Sequence, residues 1–144
     1  MSFVRDVLAT KGAEVHTIGP DSTVHEAATV MNNHRIGALM VMDGEQIAGI
    51  FTERDVLNRV VAKREDPDAT KVRQVMTVKI ACCTRDMTLE ACRTVMATHK
   101  IRHLPVVEDG KLLGLISSGD IFARRLHEHE ETIKYLHEYM HGPN

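Results

Sequence analysis

The sequence predicts an α/β fold of the α+β kind: two β-α-β-β-α repeats packed sheet to sheet, with a C-terminal helix after them. Three observations predict it: an internal repeat, a helical apolar stripe in each copy, and a hairpin signal at the same place in both. The chain has 144 residues, of which 43% are hydrophobic and only 3% aromatic. A core is therefore possible at this length, and it must consist mainly of aliphatic side chains and Met.

The repeat is the strongest of the three signals. GIFTERD begins at Gly49 and GLISSGD at Gly114, and the same offset of 65 residues aligns Met31 with Met96. Further upstream, VRDVL (4–8) matches VRQVM (72–76) at an offset of 68 residues. Because fixed-period similarity indicates duplicated structural units, we divide the chain into a first domain (1–65), a second domain (66–125) and a helical tail (126–144).

Each copy is expected to begin with a short strand, at Val15–Ile18 and at Ile80–Cys83, followed by a helix. Thr23 and Glu26 form a capping-box pattern at the start of the first helix, and Thr88 can cap the second. The apolar residues of both helices follow the spacing of a buried stripe. They are Val24, Ala27, Ala28 and Met31 in copy one, and Leu89, Cys92 and Met96 in copy two.

Two further strands and a second helix complete each copy. The strands at 37–42 and 47–52 meet at Asp43-Gly44, and those at 103–108 and 112–117 meet at Asp109-Gly110. An Asp-Gly pair between apolar runs is a strong hairpin signal. A helix is then expected from about Glu53 and from about Ser118. One such unit is too small to bury its own sheet, and this favours packing of the two sheets against each other.

The repeated aspartate has two compatible interpretations. Thr52 with Asp55, and Ser117 with Asp120, have the spacing of helix caps at strand-to-helix junctions. The same junctions expose free N–H groups that bind anions, and a carboxylate has two oxygens that can accept hydrogen bonds from both ribose hydroxyls. Spacing alone favours capping.

Over residues 4 to about 125, both copies resemble CBS (cystathionine-β-synthase-type) domains, and the pair resembles a Bateman module. The resemblance is carried by DSTVHEAATVMNNHRIGALMVMDGEQIAGIFTERDVL and DMTLEACRTVMATHKIRHLPVVEDGKLLGLISSGDI. It implies a regulatory module without enzyme activity that binds AMP, ADP, ATP or NAD between the two repeats. S-adenosylmethionine is a less favoured ligand. Binding would be relayed by conformational change to an effector protein that the sequence does not identify.

The resemblance also implies the residues of the site. Asp55 and Asp120 match the ribose-binding carboxylates, and Thr52 and Ser117 match the hydroxyls beside them. Both copies keep the aspartate, so two competent sites are expected. The walls of the adenine slot would be Thr17, Ile18, Cys82 and Cys83 from the first strands, and Ile36, Gly37, Ala38, Met40, Ile101, Arg102, His103 and Pro105 from the second strands.

The two copies carry their cations at different places, Arg54 in one and Arg102 in the other. A cation from one copy could reach a phosphate held by the other copy. Arg54 could equally be a solvated helix residue, and His103 a partly buried structural histidine. For Arg102 we expect a functional role, because an arginine inside an apolar strand needs an anion or a cleft.

Composition limits the other classes of function. The net charge is −2 without a basic run, which argues against nucleic-acid binding, and no segment is apolar enough for a membrane span or a signal peptide. Three cysteines without a CxxC pair suggest a reducing, cytoplasmic setting. The family resemblance implies a homodimer. The expected surfaces are the helices after each motif, with Val56, Leu57, Val60, Val61, Ile121 and Phe122.

Two alternatives stay open. A metal- or redox-responsive dimerisation module could use the tail histidines together with Cys82 and Cys83. A small nucleotide-acting enzyme would need a nucleophile or an acid–base pair near the phosphate. The sequence shows no such pair at a fixed spacing.

Overall fold

A computed structural model gives the structure of residues 1–141. The first repeat and the elements around it contain α1 (Val4–Lys11), β1 (Thr17–Ile18), α2 (Val24–His34), β2 (Ala38–Asp43), β3 (Gln46–Thr52), α3 (Glu53–Asp55) and a π-helical segment (Val56–Val61). The rest of the chain contains α4 (Val72–Val75), α5 (Leu89–His99), β4 (His103–Glu108), β5 (Lys111–Ser117) and α6 (Ser118–His141). The α+β class and the tandem arrangement predicted from the sequence are confirmed.

The two sheets differ in how their first strand forms. In the first repeat β1 pairs in parallel with β2, which pairs antiparallel with β3. In the second repeat β4 and β5 form the sheet, and the strand predicted at Ile80–Cys83 is reduced to a single bridge between Cys83 and Val106. Only Cys83 comes into register there, donating its N–H to the Pro105 carbonyl at 2.9 Å. The preceding Ile80 and Ala81 line a cleft instead.

The hairpins and helix starts follow local side-chain chemistry. Asp109 and Gly110 have φ values of 52° and 73°, the left-handed pair that a tight hairpin with matching twist requires. Thr23 accepts the Glu26 N–H at 3.1 Å, whereas the reciprocal half of the predicted capping box does not appear in the structure. Thr88 caps α5 in the same way, through the Ala91 N–H.

The inner faces of the two sheets pack against each other, as predicted. Ala38, Met40 and Ile50 of the first sheet form a buried cluster that Leu112 and Leu115 of the second sheet contact. All five are aliphatic or Met, consistent with a chain that has few aromatic residues. This cluster fixes the relative position of the repeats and therefore the shape of the clefts beside it.

Each repeat also receives a helix from outside its own sheet. Val4 and Val7 of α1 lie in the core of the second repeat, and Val72 of α4 lies in the core of the first, with its N–H donating to the Ser22 carbonyl at 2.8 Å. The residues before each first strand therefore pack on the other copy. The helix α1 therefore belongs to the core of the second repeat, although the domain boundary predicted near residue 65 places it in the first domain.

The second helix of copy two and the predicted tail are one continuous helix, α6. Its first turn is buried at Ile121, whereas residues 129–140 are all exposed. Among residues 1–141 no helix has the length and apolarity needed to cross a bilayer.

A cleft between the two repeats

A cavity of about 360 Å³ opens between the two repeats. The first repeat contributes Thr52 and Asp55 at the strand-to-helix junction, and the second contributes Ile101 and His103 at the entry to β4. The junction is held to the neighbouring strand because the Glu53 N–H donates to the Gly37 carbonyl at 3.0 Å. The same bond recurs in the second repeat, from the Ser118 N–H to the Arg102 carbonyl.

Asp55 lies at the wall of this cavity and is only 6% exposed. One carboxylate oxygen, Oδ2, accepts the Thr52 N–H at 3.0 Å, and the Asp55 N–H donates to the Thr52 hydroxyl at 3.3 Å. The Thr77 hydroxyl donates to the other oxygen, Oδ1, at 3.1 Å, and Arg59 Nε lies 3.6 Å from it. The capping interpretation therefore applies to Asp55, and the same contacts hold its carboxylate in one orientation at the cavity.

Asp120 is also a helix cap, but its surroundings differ. It accepts the Ser117 N–H at 2.8 Å, and Lys11 Nζ lies 2.8 Å from its Oδ2. Lys11 also donates to the Leu115 carbonyl at 2.9 Å. Asp120 borders a separate depression of about 290 Å³ between α1 and α6. The equivalent of Lys11 in the repeat register is Lys79, which lines the first cavity.

Both predicted cations reach across the boundary between the repeats. Arg54 Nη1 donates to the Lys100 carbonyl at 2.8 Å, and Arg102 Nη2 donates to Glu53 Oε1 at 3.0 Å. The prediction that Arg102 lies inside an apolar strand was wrong. It precedes β4, is exposed, and has the Glu53 carboxylate as its anion.

His103 is half-buried at the first residue of β4 and lines the cavity. Burial lowers its pKa below the usual value, and the adjacent positive charge of Arg102 lowers it further. Glu53 and Asp120 oppose this shift, while Lys11 adds to it. A neutral imidazole is therefore the form present at neutral pH, available to one hydrogen bond as donor and one as acceptor.

The structure brings only part of the predicted site together. Gly37, Thr52, Arg54, Asp55, Ile101, Arg102 and His103 line the cavity. Ala38, Met40, Cys83 and Pro105 are buried in the cores. Thr17 is exposed and Ile18 packs on the first core. Ile36 borders another depression, next to Val56, and Ser117 and Asp120 belong to the region of Lys11.

Cys82 is exposed and Cys83 is buried, and neither of them lines the cavity. Cys83 is buried, and its hydrogen bond with Cys92, together with burial, raises the pKa of its thiol. A raised thiol pKa lowers reactivity. Within residues 1–141 no group of three or more His, Cys, Asp or Glu side chains is placed to hold a metal. The side chain of His141, part of the histidine tail considered above, lies outside the described residues.

Sequence reasoning missed several cavity residues. They are Ile50, Glu53, Asn58, Arg59, Thr77, Lys79, Ile80, Ala81, His99 and Lys100. Two of them could have been predicted from the sequence. Arg59 follows Asp55 by four residues, which is one helical turn, and Lys79 aligns with Lys11 at the offset of 68 residues. The contribution of Thr77 required the fold, because it joins Asp55 from 22 positions away.

The cavity lining is rich in positive charge. Five lysine and arginine side chains line it against two carboxylates, those of Glu53 and Asp55. The five are Arg54, Arg59, Lys79, Lys100 and Arg102. Because both carboxylates already have cationic or hydroxyl partners, the remaining field is positive and favours an anion.

Comparison with known proteins gives a consistent result. A family model described as CBS domain matches residues 4–62 and 72–127. A CBS domain-containing protein of Bacillus subtilis, YhcV, is 34% identical and covers 88% of this chain and 87% of its own. The mitochondrial CBS domain-containing protein CBSX3 of Arabidopsis thaliana is 34% identical, over 96% of this chain and 72% of its own.

Solved structures agree with the fold. A proposed signal-transduction protein with CBS domains from Burkholderia ambifaria superimposes with a TM-score of 0.85. It is 37% identical, over 88% of this chain and 95% of that chain.

Proposed function

Because this chain belongs to the CBS-domain family, as a tandem pair of a regulatory and signal-transduction type, we propose that it binds an anionic adenine nucleotide in the cleft between its repeats. The observation that carries the proposal is the meeting, in one cavity, of the oriented Asp55 carboxylate with five cationic side chains. The candidate ligands are AMP, ADP, ATP and NAD, all of which combine a ribose with phosphate.

Asp55 suits the ribose. Oδ1 accepts the Thr77 hydroxyl at 3.1 Å and keeps a second lone pair, whereas Oδ2 accepts both the N–H of Thr52 and, at 3.2 Å, its hydroxyl. A ribose hydroxyl that donates to Oδ2 would take the place of the Thr52 hydroxyl. Because the carboxylate is already oriented by these bonds, a ribose diol loses little entropy in meeting it. The apolar side chains of Ile80 and Ile101 supply a wall against which an adenine ring could pack.

The charge of the cavity separates the candidate ligands. Lys79 and Arg102 can make charge-assisted hydrogen bonds to phosphate oxygens, and a ligand with more phosphates gains more of them. S-adenosylmethionine carries a positive sulfonium and no phosphate, so it is disfavoured in this field. ATP is accordingly expected to bind more tightly than AMP.

Binding also has a route to conformational change. The Arg102–Glu53 ion pair and the Arg54–Lys100 hydrogen bond both join the two repeats beside the cavity. If a ligand phosphate binds Arg102, the ion pair between Arg102 and Glu53 breaks. The two repeats are then connected at this point through the ligand and no longer through a direct ion pair. The ligand would then favour one relative arrangement of the repeats, and a partner protein could sense it.

We propose that the module acts without catalysis, as a cytoplasmic homodimer. Of the helix residues expected at a dimer surface, Val60 and Ile121 are buried in the cores, whereas Leu57, Val61 and Phe122 are 59%, 63% and 64% exposed. These three residues are exposed apolar side chains that a second copy could cover.

Isothermal titration calorimetry with AMP, ATP, NAD and S-adenosylmethionine tests the proposal. We expect one nucleotide per chain, and not the two that the repeated aspartate suggested, because Asp120 already pairs with Lys11 and lies outside this cavity. ATP should bind more tightly than AMP, and binding should be lost in Asp55→Ala but not in Asp120→Ala. Recovery of intact nucleotide after incubation would agree with a binding role. Absence of binding by all four compounds at millimolar concentration would refute the proposal and leave Asp55 as a structural cap.

A further inference from the structure

Helix α6 carries an exposed apolar seam whose spacing differs from that of a helix packed on a protein core. The seam alternates steps of four and three residues, the 3.5-residue period of coiled coils. Its members are Phe122, Leu126, His129, Ile133, Leu136 and Met140. The apolar members range from 47% exposed at Leu126 to 73% exposed at Met140.

The fold holds only the first half of α6. Ser2 donates its hydroxyl to Glu128 and accepts a hydrogen bond from Arg124 Nε at 3.1 Å, so the N-terminus ties α6 to the body as far as Glu128. Residues 129–140 beyond it are all exposed. An isolated helix of this length is marginal in water, and most of its stability must come from a surface that covers its apolar side.

We propose that a second copy of this chain covers the seam, and that the two α6 helices form a parallel two-stranded coiled coil. The seam is self-complementary, with apolar layers at Leu126, Ile133, Leu136 and Met140 facing the same layers of the other copy. His129 forms one polar layer between them, a feature that fixes register at some cost in stability.

The charges beside the seam fit this parallel arrangement. Arg125 and Glu130 are exposed and flank the seam on opposite sides. In a parallel coiled coil, the residue directly before a seam residue such as Leu126 lies beside the residue five places later in the partner helix. Arg125 of each copy therefore lies beside Glu130 of the other, and this gives two attractive pairs per dimer. The inference deepens the proposed homodimer and is independent of nucleotide binding.

Sedimentation equilibrium of the full chain tests the seam. Ile133→Asp places a charge in an apolar layer, and we expect the dimer dissociation constant to rise at least tenfold. Tyr135→Asp is the matched control, because Tyr135 is 67% exposed on the outer side of the same helix turn, and its dissociation constant should stay unchanged. An unchanged constant for Ile133→Asp would overturn the seam inference and leave a dimer held by another surface. A monomeric wild-type chain would overturn both the seam and the homodimer.

Orientation has its own test. Arg125→Glu should weaken the dimer severalfold, and the double variant with Glu130→Arg should restore it. In a Cys82→Ser background, Leu136→Cys should cross-link to itself with a short bismaleimide. Failure of both the charge restoration and the cross-link would overturn the parallel arrangement.

Discussion

Replacing Asp55 with alanine should destabilise the fold more than the same change at Asp120. Asp55 is 6% exposed and accepts hydrogen bonds from the Thr52 N–H and the Thr77 hydroxyl. Loss of the cap costs about 1 kcal/mol, and loss of the part-buried bond from Thr77 costs about 1 kcal/mol more. Asp120 loses a similar cap, while its half-exposed pair with Lys11 adds only a few tenths of a kcal/mol, roughly.

These magnitudes translate into melting temperatures. For a domain of this size about 1 kcal/mol shifts Tm by roughly 3 °C, so Asp55→Ala should lower Tm by about 6 °C and Asp120→Ala by about 3 to 4 °C. Differential scanning fluorimetry or circular dichroism at neutral pH measures both. Equal losses in the two variants would show that the bond from Thr77 contributes nothing, and the reasoning from burial and partners would fail.

The same variants separate capping from ligand binding. At a nucleotide concentration about 100 times Kd, binding adds roughly 2.7 kcal/mol of stability, or about 8 °C in Tm. ATP should give this shift in the wild type and in Asp120→Ala but not in Asp55→Ala. A full shift in Asp55→Ala would refute the role of its carboxylate at the ligand while leaving the stability prediction untouched.

Three further predictions concern other parts of the molecule. Gly49→Ala should cost about 1 to 3 kcal/mol of unfolding free energy, because a Cβ there would lie 2.7 Å from the Thr77 backbone carbonyl. Gly114→Ala should cost less, because its nearest neighbour is the flexible end of the Leu8 side chain. Urea denaturation of the two variants measures both costs. Lys11→Ala removes the cation that now pairs with the second motif, so calorimetry should detect a second, weaker nucleotide per chain, and unchanged stoichiometry would contradict this. Burial lowers the pKa of His103, so just below pH 6.5 the unfolded state binds more protons at this residue than the folded state does. The stability of the fold therefore falls as the pH decreases through that window. His103→Gln should make the decline of Tm with pH shallower, and a pH profile identical to that of the wild type would contradict this.

The exchange of helices between the repeats bears on how a signal could leave the cleft. The helix α1 packs in the second core while Lys11, at its end, bonds to the Leu115 carbonyl and pairs with Asp120. Movement of one repeat relative to the other would therefore displace α1 together with the second core. Ser2, just before α1, bonds to α6, so the same displacement would reach the helix that carries the exposed seam.

The sequence alone determined the duplication, the helices α2 and α5 and the two hairpins, because these depend on local spacing. It did not determine the helices α1 and α4, or the reduction of the strand expected at Ile80–Cys83 to a single bridge. The repeat offset, the apolar stripes of α2 and α5, and the left-handed preference of Asp109-Gly110 are all written within short segments. The Thr52–Asp55 cap belongs to the same class, since both partners lie within one helical turn. The family resemblance, which rests on those segments, was confirmed by the match of both copies.

Only the tertiary structure decided which residues share the cleft. Thr77 bonds to Asp55 and Arg102 pairs with Glu53, contacts between residues distant in the chain that no local pattern specifies. Tertiary packing also made the two copies unequal: Lys11 pairs with Asp120, whereas its counterpart Lys79 lines the first cavity. Periodicity treats the repeats as equivalent, but the packing of the two copies against each other places different side chains beside the same motif.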